Sequence, residues 1–237
     1  MRIVVLTGAG ISAESGIATF RDHDGLWEGH DVEAVATPEG FAADPDLVLR
    51  FYDERRRAVA SAEPNAAHRA LARLEGALGT RLLVVTQNVD DLHERAGTQN
   101  LVHMHGELRR ARCTGCGARP PWTGDLVGRP PCPECGERML RPDIVWFGEL
   151  PYGLDAIEQA VVACDVLAAV GTSGTVYPAA GYVALAAAFG ARTVELNLAP
   201  TDATMDAFGS VPFDEVHAGP ATEVVPAWVD AVIAATR

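Results

Sequence analysis

Two groups of residues in this 237-residue chain have the types and spacing to do chemistry. The first is the loop Gly8-Ala9-Gly10-Ile11-Ser12-Ala13, which follows the apolar run Ile3-Val4-Val5-Leu6. A strand ending in Gly-x-Gly-x-x-Gly/Ala lets the backbone approach a pyrophosphate, and the helix start behind it offers free N–H groups and a positive dipole end. Taken alone, the loop is equally well explained as a tight strand-to-helix turn. The second group is Cys113-x2-Cys116-x15-Cys132-x2-Cys135, the spacing of two knuckles that together close a tetrahedral tetrathiolate zinc site. Four thiolates leave no open coordination position, so such a zinc is structural. A redox pair is the weaker reading, because oxidoreductase Cys-x-x-Cys motifs sit at helix starts, whereas Gly115, Gly117 and Gly136 supply knuckle turns here. Nor is the segment a phosphate track: Arg119 and Arg129 are balanced by Asp125 and Glu134.

Other polar groups fall where apolar runs end, the edge at which ligands of open α/β sheets bind. Thr86-Gln87-Asn88-Val89-Asp90 offers amides for a ribose or carboxamide, or for a turn, and Asp90 is a ligand carboxylate or a helix cap. In His103-Met104-His105-Gly106-Glu107, His105 has the ordinary pKa of a general base at neutral pH, while His103, two residues away, faces the opposite side of a strand and reads as structural. Gly171-Thr172-Ser173 and Asn197 hold equivalent positions, as ligand contacts or as ordinary strand-helix junctions. A nicotinamide dehydrogenase would carry a second strand about 20 residues after the glycine loop, ending in an acidic residue. Instead the chain continues Gly16-Ile17-Ala18-Thr19-Phe20-Arg21-Asp22 and Asp24-Gly25-Leu26-Trp27, a glycine-punctuated segment that reads as a lid. Phe20 and Trp27 stack on a cofactor or pack the loop down, and Arg21 is a phosphate partner or a surface ion pair.

These positions need a scaffold, and the apolar pattern supplies one. Short β-branched runs at 3–6, 82–86, 101–103, 166–170 and 193–196 predict buried parallel strands, and helical patterns fall at 45–62, 65–78, 154–163, 178–189 and 223–235. The alternation predicts an α/β fold, a Rossmann-like doubly wound parallel sheet, with a small domain made of a zinc ribbon and a helical insertion. Residues 1–29, 80–112 and 140–237 form the large domain on this reading; 30–79 is the insertion and 113–139 the metal-held module. No apolar run reaches the ~18 residues of a membrane span, and a strand beginning at residue 3 leaves no room for a signal peptide, so a cytoplasmic protein is expected. The net charge of −13 disfavours nucleic acid and suits basic protein segments. All 19 basic residues are arginine; the chain has no lysine.

Taken together, GAGIS at 8–12, GIATFR at 16–21, TQNVD at 86–90, HMHGEL at 103–108, the cysteine quartet and VGTS at 170–173 resemble the sirtuin family, in order and over nearly the whole chain. The resemblance implies an enzyme that consumes NAD to remove acyl groups from lysine side chains, releasing nicotinamide and 2′-O-acyl-ADP-ribose. It implies that the acyl oxygen attacks C1′ of the nicotinamide ribose and that His105 then activates the ribose hydroxyl that attacks the imidate. Asn88 and Asp90 are the other implied catalytic residues, at the ribose and nicotinamide ends. The implied NAD site takes Gly8, Ala9, Gly10, Ser12, Ala13, Glu14, Ile17, Thr19, Phe20, Arg21 and Trp27 from the first loop and lid. It adds Gln87, Asn88, Val89, Asp90 and His105, then Gly171, Thr172 and Ser173, then Asn197, Leu198 and Ala199, with Ala221 against the adenine. Val145, Trp146, Phe147, Gly148 and Glu149 are implied to pair with substrate backbone, and Cys113, Cys116, Cys132 and Cys135 to hold one structural zinc.

One departure refines the expectation. Many deacetylases of the family read GIPDFR where this chain reads GIATFR, with Thr19 in place of the aspartate. Tyr52 and Arg55 lie three apart on one helix face, where a phenol and a guanidinium can clamp a carboxylate. The pair resembles the class III sirtuins, which remove succinyl and malonyl groups; the plainer alternative places Arg55 in the charged surface run 54–57. The expected partners are therefore acylated lysines of basic or flexible protein segments, met by a monomer. Competing readings are a protein mono-ADP-ribosyltransferase and a non-catalytic zinc-ribbon module that senses NAD or binds nucleic acid.

Overall fold

A computed structural model describes residues 1–18, 26–27, 29–173, 178–200, 204–206 and 209–236. The chain opens with β1 (Ile3–Thr7), β2 (Leu26–Trp27), β3 (His30–Asp31), α1 (Val32–Val35), α2 (Pro38–Ala43), α3 (Pro45–Ser61) and α4 (Ala66–Leu78). It continues through β4 (Leu82–Thr86), α5 (Leu92–Ala96), β5 (Leu101–His103), β6 (Gly106–Cys113), β7 (Leu140–Ile144), α6 (Leu154–Val162) and β8 (Val166–Val170). It ends with α7 (Gly181–Ala188), β9 (Arg192–Asn197), β10 (Thr204–Asp206), β11 (Gly209–Val211), β12 (Glu215–Ala218) and α8 (Ala221–Ala235).

Six strands make one parallel sheet in the order β12-β9-β8-β1-β4-β5. Parallel strands need both faces covered, and the period-2 alternation of apolar side chains divides the core accordingly. Ile3, Val5, Val84 and Ala168 point to the layer of α4 and α8, where Leu71, Leu74, Val225 and Trp228 meet them. Val4, Leu6, Val85 and Leu167 point to the layer of α6 and α7, against Ile157, Val161, Tyr182 and Val183. The strand order reverses beside β1: the chain runs outward through β4 and β5, then returns to β8 on the other side. That reversal opens a crevice at the carboxyl ends of β1 and β8.

The doubly wound sheet is the one expected, with differences that have physical reasons. Strand β12 was not anticipated, because its sequence Glu215-Val216-His217-Ala218 alternates in exposure at a sheet edge and lacks a fully apolar run. The antiparallel pair β6–β7 was missed for a similar reason, since β6 carries three arginines and shows its apolar side only at Leu108, Ala111 and Cys113. Helix α4, placed at sequence level in the insertion, buries Ala67, Ala70, Leu71 and Leu74 against the main sheet. The smaller core gathers α1 and α3 with the β6–β7 pair, through Val35, Val48, Phe51, Tyr52, Leu108, Ile144 and Trp146. Helix α3 starts where Asp44 accepts the Leu47 N–H at 2.9 Å and Pro45 takes the first turn.

Candidate active site

The crevice at the reversal point is a cleft of about 850 Å³. Its floor depends on glycines. Gly8 N–H donates to Val170 O at 2.9 Å and Gly10 N–H to Gly171 O at 2.8 Å, so the loops after β1 and β8 lie in backbone contact. A Cβ on Gly171, whose φ is +58°, would fall 2.5 Å from Ile11 N, and one on Gly10 would fall 2.7 Å from Gly171 Cα. Only hydrogen fits at both places. Asn65, which caps α4 by accepting the Ala67 N–H, donates its amide to Ile11 O at 2.8 Å and to Ser15 Oγ at 3.0 Å, fixing the first loop from the other side.

The polar centre of the cleft is built from three loops. Ser12 Oγ donates to Asp90 Oδ2 at 3.0 Å and accepts from Asn88 Nδ2 at 3.1 Å. The Asn88 N–H is held by Thr86 Oγ1 at 3.0 Å. Burial raises the Asp90 carboxyl above the usual range, opposed by the Leu92 N–H that Asp90 accepts at 3.1 Å and by Ser12. Asp90 is thus both a wall of the cleft and the lead-in to α5. His105 follows β5, and its Nδ1 donates to Gln87 O at 3.2 Å. A carbonyl can only accept, so the proton sits on Nδ1 and Nε2 keeps a lone pair. Burial lowers the His105 pKa, more than the Gln87 carbonyl raises it, and keeps the ring neutral. The arrangement can take up a proton at neutral pH. His103 turns away, to Asn88 O at 3.0 Å and Glu94 Oε1 at 2.8 Å, and does not line the cleft.

Another part of the cleft is largely apolar. Trp27, Ala36, Val59, Leu108, Ile144 and Trp146 line it, together with Tyr52 and Arg55. Tyr52 is fully buried, accepts the Trp146 indole N–H at 3.1 Å, and is pushed above its ordinary pKa by burial, so it remains a neutral phenol with its own O–H to give. The Arg55 guanidinium lies 3.6 Å from the Phe51 ring centroid and donates Nη1 to Phe51 O at 2.9 Å. Arg55 therefore belongs to the cleft and not to a solvated charged face. The 145–149 segment forms the rim: Val145 N–H donates to His105 O, Phe147 N–H to Ala36 O, and the Glu149 carboxylate is held by Arg141 at 2.7 and 2.9 Å.

A family model described as the Sir2 family matches residues 8–178. The chain belongs to the Sir2 family. A relative in Pasteurella multocida (strain Pm70), an NAD-dependent protein deacylase, is 57% identical over 95% of this chain and 95% of its own length. Another of that name in Escherichia coli (strain K12) is 54% identical, over 98% of this chain and 82% of its own. Among solved structures, a Sir2 homologue in complex with NAD is 41% identical, with a TM-score of 0.88 over 100% of this chain and 91% of that one. A Sir2 structure bound to acetylated peptide is 28% identical, with a TM-score of 0.80 over 98% of this chain and 93% of that one.

In this sirtuin the cleft brings together most of the residues expected from sequence: the first loop, residues 87–90, His105, the 145–149 rim, Gly171 to Ser173, Asn197 to Ala199, Ala221, and the pair on α3. Glu14 is not among them. Its carboxylate accepts the Thr222 N–H at 3.0 Å and the Thr222 hydroxyl at 2.6 Å, anchoring the first loop to the start of α8. Thr19, Phe20 and Arg21 lie outside the described residues. Sequence reasoning missed His68, whose Nε2 lies 3.4 Å from Ser12 Oγ. The signal for His68 was available in Asn65-x-x-His68, a helix-start box whose buried ring had to face something polar.

The cysteine quartet sits at the far side of β6 and β7. Cys113 and Cys135 sulfurs are 3.7 Å apart, Cys116 and Cys132 sulfurs 3.9 Å, and all four lie within 4.8 Å of one another. A tetrahedral zinc with bonds of about 2.3 Å requires S···S edges of about 3.8 Å, so the residues present fit that ion. Gly117 N–H donates to Cys113 O and Gly136 N–H to Cys132 O, each at 2.9 Å, and both glycines have φ of 78°, the knuckle geometry. Among the described residues, no helix is long and apolar enough to cross a membrane.

Proposed function

We propose that this sirtuin is an NAD-dependent protein-lysine deacylase that removes succinyl and malonyl groups as well as acetyl. The observation that carries the deacylase reading is the neutral His105 imidazole, fixed by Gln87 O in a cleft whose floor is the interlocked glycine loops. NAD is the co-substrate, and the loops after β1, β8 and β9 are its proposed seat, with the adenine toward Ala221. The amide of Asn88 and the carboxyl of Asp90, both fastened to Ser12, orient the nicotinamide half. The acyl oxygen attacks C1′, nicotinamide leaves, and His105 Nε2 takes the proton of the ribose hydroxyl that attacks the acyl carbon. Water completes release of free lysine and 2′-O-acyl-ADP-ribose.

The acyl class is read from the apolar part of the cleft. Apolar lining residues that include a phenol and a guanidinium suit a short chain tipped by a carboxylate, which arginine binds bidentately. Basic or flexible protein segments fit the net charge of −13. The proposed small domain comprises residues 30–79 and 113–139, with two adjustments that the cores support: α4 packs on the main sheet, and the β6–β7 pair shares the core of α1 and α3. The cysteine quartet holds one zinc there, which keeps a Gly- and Pro-rich segment folded and takes no part in the chemistry. Replacing His105 with alanine is expected to abolish acyl-peptide-dependent nicotinamide release, measured by chromatography. Turnover at more than about a hundredth of the wild-type rate contradicts the role, given the 10²–10⁴-fold worth of a general base.

A further inference from the structure

Helix α3 carries two pairs of residues at three-residue spacing. Tyr52 and Arg55 line the cleft. Asp53 and Arg56 are also buried, at 1% and 4% exposure, and they are tied elsewhere. The Asp53 carboxylate accepts the Leu126 N–H on both oxygens at 2.9 and 2.8 Å, the Val127 N–H at 3.0 Å, and Arg56 Nη1 at 2.6 Å. Arg56 donates Nη1 to Gly124 O at 3.1 Å and Nε to Leu108 O at 2.7 Å. Leu108 lies three residues after His105, and its own N–H donates to Val89 O at 2.8 Å, between Asn88 and Asp90. One residue of β6, Leu108, thus joins the polar centre of the cleft to α3 through its N–H and its C=O, and the Asp53 carboxylate joins α3 to the loop of the cysteine module.

We propose that Asp53 and Arg56 are positioning residues for acyl selection, setting how far Tyr52 and Arg55 stand from His105 and hence which acyl chain has its carboxylate read. The inference rests on the reading of Tyr52 and Arg55 given above. A buried ion pair is a poor source of net stability, because desolvation offsets its attraction, whereas its fixed hydrogen bonds hold one geometry. Small displacements matter here: a shift of about 1 Å at a site can cost 10²-fold in rate. The cysteine module, remote from the chemistry, then acts on the substrate through Gly124, Leu126 and Val127.

The test measures kcat/KM on succinyl and acetyl forms of one peptide for Asp53→Asn and Arg56→Lys, with zinc content, melting temperature and NAD-free binding of each peptide by calorimetry. Arg56→Lys keeps the charge opposite Asp53 but cannot reproduce the guanidinium fork that reaches both Leu108 O and Gly124 O. Both variants are expected to lose about tenfold in the succinyl-to-acetyl ratio, through KM and succinyl-peptide binding, while acetyl kcat stays within about twofold and zinc is retained. If Asp53→Asn does not fold, Arg56→Lys decides alone. An unchanged ratio in folded Arg56→Lys, or equal losses on both peptides, overturns the proposal. Arg55→Met run alongside separates the failures: if it leaves the ratio unchanged, the carboxylate reading falls too, and if it lowers the ratio while Arg56→Lys does not, only the positioning role falls.

Discussion

In the proposed mechanism His105 is the base, and two features set its state: Gln87 O accepts from Nδ1, and burial holds the ring below its ordinary pKa. The base must be neutral to act, so the acid limb of kcat/KM on an acetyl-peptide is expected below pH 6.5. A pH–rate profile with that limb above 6.5 contradicts the assignment. At the acyl end, Arg55→Met removes a charged donor and is expected to lower desuccinylation about 10- to 100-fold while deacetylation changes less than about threefold. Parallel steady-state assays on both peptides check it, and equal losses remove the clamp. Most of the polar cleft was legible in sequence because its residues directly follow apolar strands. The carboxylate of Glu14 is bonded to Thr222, some 200 residues on, a contact that nothing in GAGISAE reveals. The bonds that fasten Glu149 to Arg141 were equally invisible.

Among the elements, the buried strands announced themselves as β-branched runs, and β4 and β8 fall at the expected residues. Several elements that escaped notice have only a partial apolar side: β6, β12 and the short helices α1 and α2; β7 is buried, but its sequence LRPDI carries an arginine, a proline and an aspartate. Helix α4 is expected in the insertion and packs against the main sheet, because its apolar face says that it packs and not against what. The contact between the β1 and β8 loops gives a sharp element-level prediction. Gly171→Ala adds a Cβ 2.5 Å from Ile11 N at a φ of +58° and is expected to destabilise the fold by about 2–4 kcal/mol and to weaken NAD binding more than tenfold. Thermal melting and calorimetry check it; unaltered NAD affinity contradicts the placement of the dinucleotide on that floor.

At the scale of the molecule, one sheet reversal brings the loops after β1, β4, β5, β8 and β9 together, and α3 brings Tyr52 and Arg55 to the same cleft. Beneath that junction lie two histidines, His68 and His93, with rings 5.0 Å apart and both buried. Burial brings His68 down to about 4 and His93 well below its ordinary value. Both are neutral when folded and unfolded above pH 6.5, so their effect on stability is nil there. As pH falls from 6.5 toward 4, the unfolded chain takes up protons that the folded one refuses, and stability is lost, on the order of 3 kcal/mol from His68. His103 opposes this: burial lowers its pKa, but the Glu94 carboxylate raises it further, so it stabilises on the acid side. Urea midpoints are expected to fall from pH 7 to pH 4.5, with His68→Asn flattening the slope; a slope unaltered in that variant contradicts the linkage. The most direct test of the whole account follows the products. With NAD and a succinyl-lysine peptide, mass spectrometry is expected to show nicotinamide, unmodified lysine peptide and succinyl-ADP-ribose in equal amounts, whereas nicotinamide release with ADP-ribose joined to the peptide, or with the succinyl group still in place, contradicts it.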